Sequence, residues 1–351
     1  MSAESESEMN CNNLSSVGVC VEARSTAGGN RSSRVRKSST EPNMAASDVS
    51  TQAEENESLA TYKGPLALSF SGCGFLGTYH FGVIQCFREK GQKQFLKRIQ
   101  HCTGASAGAI AAALFILCPD KTEHCLKKFY ELGEEITALK FGALTRGYSL
   151  MSRLRQLAEE TLPANSAELA KHHLHISLTS LPDRKNHLFD EFPDRAYLIQ
   201  CLMASCFIPI YAGTGEKPVT INGKDYIDGG FTNNLPKLSH VRTVTVSPFS
   251  GEAEISPRDH SADDEKDANK PGSGSRPGSR ERRQSRGTSD WSVTVANQTF
   301  FMNWTNVLRM GEAMFPPGNH TLEMAHKGGY KDAMMFLIDH GWIDRDRGTP
   351  V

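Results

Sequence analysis

Three short stretches of the sequence combine reactive and turn-forming residues in spacings that can support chemistry. The first is Gly104-Ala105-Ser106-Ala107-Gly108, the G-x-S-x-G spacing of a nucleophile elbow. Such a serine stands on a sharp strand-to-helix turn, which demands small neighbours, and all four here are Gly or Ala. The helix that follows turns its positive end towards Ser106 and favours negative charge developing there. The second stretch is Gly72-Cys73-Gly74-Phe75-Leu76-Gly77. Its G-x-G-x-x-G spacing fits a dinucleotide-binding turn, but that use wants an acid about 20 residues on, at the end of the next strand. The residues there, His101-Cys102-Thr103, include no carboxylate. The other use is an oxyanion hole, in which glycines let successive N–H groups point at one spot. The third stretch is Tyr226-Ile227-Asp228-Gly229-Gly230, an aspartate at a strand end held on a tight turn. Alone, it reads as an ordinary β-turn, and its weight comes from the two motifs that accompany it.

Positioning these groups requires strands that deliver them to one edge. Leu66–Phe70 is a short apolar strand running straight into the Gly-rich turn, and a helix over roughly 78–90 follows. Arg98 to Cys102 reads as a second strand. Residues 107–117 form an apolar helix with no polar face, which should be buried. Helices are expected near 121–138, 149–161 and 195–205, with a strand at 174–181 between the last two. Val219 to Asp228 reads as a hairpin turned at Asn222-Gly223, and Val241 to Val246 as a β-branched strand. Residues 293–314 and 329–340 read as helical. Strands alternating with helices imply an α/β fold with a mostly parallel sheet covered on both faces.

Composition narrows the function classes. The chain has 351 residues, with 39 Lys and Arg against 40 Asp and Glu, a net charge of −1. A nucleic-acid binder normally shows a basic surplus on its folded part, so that class is set aside. The longest apolar run, Ala107 to Cys118, is too short for a membrane span, which needs about 20 residues. The nine cysteines are odd in number and lack any C-x-x-C pair, which fits a reducing compartment and argues against a zinc site or a disulfide framework. The acidic start, MSAESESEMN, lacks the apolar core of a signal peptide. Residues 1–60 are Ser-, Glu- and Asn-rich and read as a disordered tail. Residues 251–290 read as a flexible charged insert, acidic in its first half and basic in its second. That leaves 61–250 as a catalytic block and 291–351 as a helical part completing the same domain. Arg36-Lys37-Ser38-Ser39 and Arg282-Arg283-Gln284-Ser285 match basophilic kinase sites, as Arg/Ser-rich linkers often do by chance.

The order of an oxyanion loop, a serine elbow and an Asp-Gly-Gly turn resembles the patatin-like phospholipases. SGCGFLGTYHFGV, GASAGA, LHISLT, FIPIYAG, DGGFTNNLP and TVSPFSG are similar to the animal branch that includes adipose triglyceride lipase and adiponutrin. Phe141-Gly142-Ala143-Leu144-Thr145 and the ending Gly329-Tyr330…Phe336-Leu337…Trp342 look most like one small member of that branch. The resemblance runs from about Leu66 onward. It implies a three-layer α/β/α sandwich with a mostly parallel central sheet, no cofactor and no metal. It also implies a Ser–Asp dyad, with Ser106 as nucleophile and Asp228 as proton acceptor. Gly72, Cys73, Gly74 and Gly77 would form the oxyanion hole, and Gly104, Gly108, Gly229 and Gly230 the supporting turns. Plant and bacterial members often carry Arg or Lys before the last loop glycine, where Leu76 stands here, so the oxyanion would meet neutral donors alone. Substrates would be lipid esters, namely triacylglycerol, retinyl ester or phospholipid, with acyl transfer to a second alcohol open beside hydrolysis. The alternative is a catalytically weak regulatory protein on the same fold. Either would be cytoplasmic and peripheral to a membrane or lipid-droplet surface.

Histidines decide between a dyad and a triad. His240 is the first candidate after Asp228 in the Ser…Asp…His order, but no motif surrounds it. His80 follows the oxyanion loop. His172-His173-Leu174-His175 has the look of a metal cluster, yet alternation along a strand separates direct neighbours. Phe300, Phe301, Trp304, Val307, Leu308, Met310, Met314 and Phe315 are taken together on the 293–314 helix. Most of them suit core packing, and a subset suits a lipid surface.

Overall fold

The computed structural model describes residues 22–24, 59, 62–209, 211–212, 216–259 and 291–344. In chain order the elements are β1 (Glu22–Arg24), β2 (Leu66–Phe70), α1 (Gly77–Lys90), α2 (Lys93–Arg98), β3 (Ile99–Gly104), α3 (Ala107–Leu117), α4 (Thr122–Thr137), α5 (Leu150–Thr161) and α6 (Ser166–Ala170). They continue with β4 (Leu174–Ser180), β5 (Asn186–Phe189), α7 (Arg195–Ser205), β6 (Val219–Ile221), β7 (Lys224–Asp228), β8 (Arg242–Val246), β9 (Ser292–Val295), β10 (Gln298–Phe301), α8 (Trp304–Met314) and α9 (Asn319–Asp339).

The main sheet has strand order β6-β7-β4-β3-β2-β8, with β5 added to β4. Its centre, β4-β3-β2-β8, is parallel, and β5, β6 and β7 join antiparallel. Strands β2 and β4 are buried along their whole length, as parallel strands sandwiched between helices must be. Helix α3 has eight of its eleven residues buried, in keeping with its lack of a polar face. The β6–β7 hairpin turns at Asn222 and Gly223, both at positive φ, as its Asn-Gly sequence requires.

The C-terminal block is built into this domain. Helix α9 lies along α1, with the Tyr79 hydroxyl donating to Asp332 at 2.7 Å and Phe336 packed against Phe87 and Phe95. One expectation fails here. Residues 292–301 form the β9–β10 hairpin, and the helix begins only at Trp304. The turn is made by Ala296 and Asn297, with φ of +46° and +63°. Alanine seldom takes that conformation, so the turn left no glycine signal. Phe300 and Phe301 are therefore strand residues. A second correction concerns the charged insert, whose first nine residues carry structure. Ile255 bridges Val246, Gly251 bridges Phe300, and Asp259 forms a bidentate pair with Arg309 at 2.8 and 2.9 Å. Of the tail, Glu22–Arg24 pair with β9 and Leu59 is buried in the core. The rest of the tail and insert, including Ser39 and Ser285, lies outside the described residues.

Candidate active site

The nucleophile elbow follows directly from the packing of β3 against α3. Ser106 sits between them at φ +54°, a left-handed conformation that costs about 1–3 kcal/mol for a non-glycine residue. The turn closes only because both flanking glycines lack a side chain. A Cβ on Gly108 would stand 2.1 Å from the Phe70 carbonyl oxygen, and one on Gly104 would stand 2.4 Å from Gly108. The strained backbone is held from below. The N–H of Ser106 donates to Ser205 Oγ at 2.9 Å, and that hydroxyl donates to the Ser177 carbonyl at 2.8 Å. Strand β4 and helix α7 thus fix the serine through a single buried hydroxyl.

Asp228 ends β7, and its Oδ1 accepts from the Gly230 N–H at 2.7 Å. Gly229 packs against the Ser177 backbone, where a side chain would not fit. The carboxylate is buried, and burial raises its pKa to about 6. The Ser106 hydroxyl beside it and the Gly230 N–H pull in the opposite direction. Asp228 is therefore ionised at neutral pH yet close to the range in which it can take up a proton. Cys206 also touches the Ser106 side chain, and burial pushes its thiol far above the usual range, which keeps it neutral.

The oxyanion loop differs in detail from expectation. The N–H of Gly72 donates to the Asn234 carbonyl at 3.2 Å, and that of Gly77 to the Gly74 carbonyl. Both are engaged in shaping the loop, which leaves the N–H groups of Cys73 and Gly74 as its candidate donors. Gly74 has φ +52°. A side chain there would stand 2.0 Å from the Ala313 carbonyl oxygen, so α8 packs directly on the loop. Cys73 and Leu76 share a small apolar cluster with Ala107, Phe249 and Ala313.

His80 lies behind the loop. Its Nε2–H donates to the Ser71 carbonyl at 2.8 Å, and complete burial lowers its pKa to about 4, so it is a neutral prop. His240 is elsewhere. Its ring lies 5.5 Å from that of His101, beside His175, near the amino-terminal ends of β3 and β4. Ser106 follows the carboxyl end of β3. Among the described residues, no histidine lines the cavity that holds Ser106 and Asp228. Among the described residues, no group of three or more His, Cys, Asp or Glu is placed to hold a metal ion.

That cavity encloses about 820 Å³ and is almost wholly apolar away from the two reactive groups. Its walls come from both blocks of the chain, with Phe129, Leu132 and Leu154 on one side and Val295, Phe300 and Met314 on another. Two residues absent from the sequence-based candidates organise it. Asn234 Nδ2 donates to the Gly72 carbonyl at 3.1 Å and to Gln298 Oε1 at 2.6 Å. Gln298 in turn donates to Ser247 Oγ at 2.7 Å. The amide run Asn233-Asn234, three residues beyond Gly230, is the available signal for the first of these.

The model of the family described as Patatin-like phospholipase matches residues 68–238. Human patatin-like phospholipase domain-containing protein 4 is 38% identical over 79% of this chain and 98% of its own length. It is the small member to which Phe141–Thr145 and the C-terminal residues pointed. Patatin-like phospholipase domain-containing protein 2 of Mus musculus is 35% identical, and the human omega-hydroxyceramide transacylase 32%. The first aligns over 79% of this chain and 51% of its own length, the second over 78% and 46%. This chain thus spans about half of those two relatives. An α/β sheet with a parallel centre flanked by helices, an elbow serine facing a buried aspartate and relatives of this closeness place the chain in the patatin-like phospholipase family.

Proposed function

We propose that the protein cleaves lipid acyl esters with Ser106 and Asp228 as a dyad. The observation that carries this reading is the Asp228 carboxylate beside the Ser106 hydroxyl, both lining an apolar cavity of about 820 Å³. The Ser106 Oγ attacks the ester carbonyl carbon while its proton passes to Asp228. The oxyanion forms near the N–H groups of Cys73 and Gly74 and the amino end of α3, donors already oriented before substrate arrives. When the tetrahedral intermediate collapses, the alcohol leaves and takes the proton from Asp228. Ser106 remains acylated. Water or a second alcohol then attacks the acyl-enzyme, giving up a proton to Asp228, which returns it to Ser106 Oγ.

The apolar walls suit long acyl chains, and triacylglycerol, retinyl ester and phospholipid are the substrates to compare. The transacylase relative supports keeping acyl transfer beside hydrolysis. The working site is a membrane or lipid-droplet surface on the cytoplasmic side. No helix among the described residues is long and apolar enough to cross a membrane, so attachment is peripheral in this reading. The test is turnover against those three lipid classes, with and without an added alcohol acceptor. At least one class should be cleaved by the wild type and none by Ser106→Ala. Equal turnover by the two proteins would overturn the assignment.

A further inference from the structure

Among the described residues, the exposed part of the cavity's lining lies along α8. The exposed side chains of that lining are Met302, Val307, Met310 and Phe315, all on α8 or its flanks. The same segment carries Trp304, 74% exposed, and Leu308, 51% exposed, neither of which lines the cavity. Trp304, Val307 and Leu308 recur at helical spacing and form one outward face, and Phe315, 65% exposed, follows directly at the end of the helix. The opposite face is committed. Asn306 is buried and bonded to the Ser250 backbone, and Ala313 covers the oxyanion loop. A contiguous apolar face of this kind on a folded domain marks a contact surface.

The position of the face decides its occupant. A protein seated on it would stand across the mouth of the cavity. A lipid surface seated on it would instead place water-insoluble esters at that mouth. We propose that the outer face of α8 docks on a lipid surface, with Trp304, Leu308 and Phe315 inserted among the acyl chains and the mouth of the cavity facing the lipid. The passage of an ester to Ser106 rests on the acyl-hydrolase reading; the docking does not. The charged residues of α8 are Arg309, paired with Asp259, and Glu312, so the helix brings no cationic excess. Binding is therefore driven by apolar insertion and is insensitive to salt, unlike attraction to anionic headgroups.

The experiment mixes the full chain with phosphatidylcholine vesicles, in one set brominated in the acyl chains. The wild type should co-sediment, with less than a twofold change between 0.1 and 0.5 M NaCl as an order-of-magnitude bound. Brominated chains should quench its tryptophan fluorescence, and Trp304→Phe should lose at least half of that quenching while still sedimenting. Trp304→Ser combined with Leu308→Ser should lower partitioning about tenfold or more while retaining wild-type reactivity with a soluble fluorophosphonate. Partitioning of the double variant equal to wild type overturns the proposal. So does a mass in solution that falls from dimer to monomer in that variant, which would make a second copy the occupant. If the double variant does not fold, the quenching of Trp304→Phe decides alone, and unchanged quenching overturns the docking. Vesicle binding with no fluorophosphonate labelling of the wild type would leave the docking face standing and remove the hydrolase reading.

Discussion

Asn234 grips Gly72 from both sides of the peptide chain. Its carbonyl accepts the Gly72 N–H at 3.2 Å, and its side-chain Nδ2 donates to the Gly72 carbonyl at 3.1 Å. The Asp-Gly-Gly loop and the oxyanion loop, remote in sequence, are thereby locked together. The same Nδ2 reaches Gln298, so the C-terminal hairpin holds the clamp in place.

Asn234→Ala should therefore lower kcat about 10- to 100-fold, less than or similar to the loss of a direct oxyanion donor, with KM changed little. Asn234→Asp keeps the shape but loses the donor, and should be impaired nearly as much. Steady-state kinetics on a soluble short-chain ester separates the two parameters. A change confined to KM would mean that the clamp shapes substrate binding and leaves the oxyanion loop alone.

Gly74→Ala should be more severe. It places a side chain at φ +52° and against the Ala313 carbonyl oxygen. We expect a fall in kcat of about 100-fold or more and a loss of stability of about 1–3 kcal/mol. Thermal melting and kinetics on one preparation test both parts.

The acid limb of kcat/KM should lie near pH 6, the pKa to which burial lifts Asp228. The proton acceptor must be ionised, so the rate should fall about tenfold per pH unit below that value. The stability effect has the opposite sign. A carboxyl whose folded pKa exceeds its unfolded one binds more protons when folded, so between about pH 4 and pH 6 its contribution to stability declines as pH rises. At pH 7 the buried charge destabilises the fold. Asp228→Asn should accordingly be inactive yet melt higher than wild type at pH 7. A lower melting temperature would show that the charge stabilises its surroundings.

His80 makes the complementary prediction for low pH. Its folded pKa, near 4, lies below the ordinary histidine value because the ring is buried. The unfolded chain then binds the proton more readily. Stability is complete above about pH 6.5 and is lost as pH falls towards 4. His80→Gln should flatten that part of the melting-temperature profile.

His240→Ala should leave turnover unchanged within about twofold, because His240 clusters with His101 and His175 near the opposite end of β3. A hundredfold loss would reinstate a triad.

Much of this site could be read from the sequence because steric demands impose particular residue types. Only Gly at 108 lets α3 approach β2, and only Gly at 104 lets it close on the end of β3, so the elbow announces itself. The buried parallel strands likewise appear as short apolar runs. What stayed hidden depends on contacts between distant segments. Ser205 is an ordinary serine at a helix end until folding sets it under Ser106. Gln298 is an ordinary polar residue until it meets Asn234. That the Gly72 N–H closes the loop itself, by donating to the Asn234 carbonyl, is another contact between distant segments. The β9–β10 hairpin carries no turn signal because Ala296 takes a conformation usually left to Gly or Asn, and only Val293, Thr294, Val295 and Thr299 supply a β-branched signal.

The dyad is tested most directly by the site of covalent capture. The folded wild type is treated with a fluorophosphonate and the modified peptide is sequenced by mass spectrometry. The label should sit on Ser106, be absent from Ser106→Ala, form at least about 100-fold more slowly in Asp228→Asn and form at the wild-type rate in His240→Ala. Failure of the folded wild type to label, or a label on another residue, would contradict the dyad.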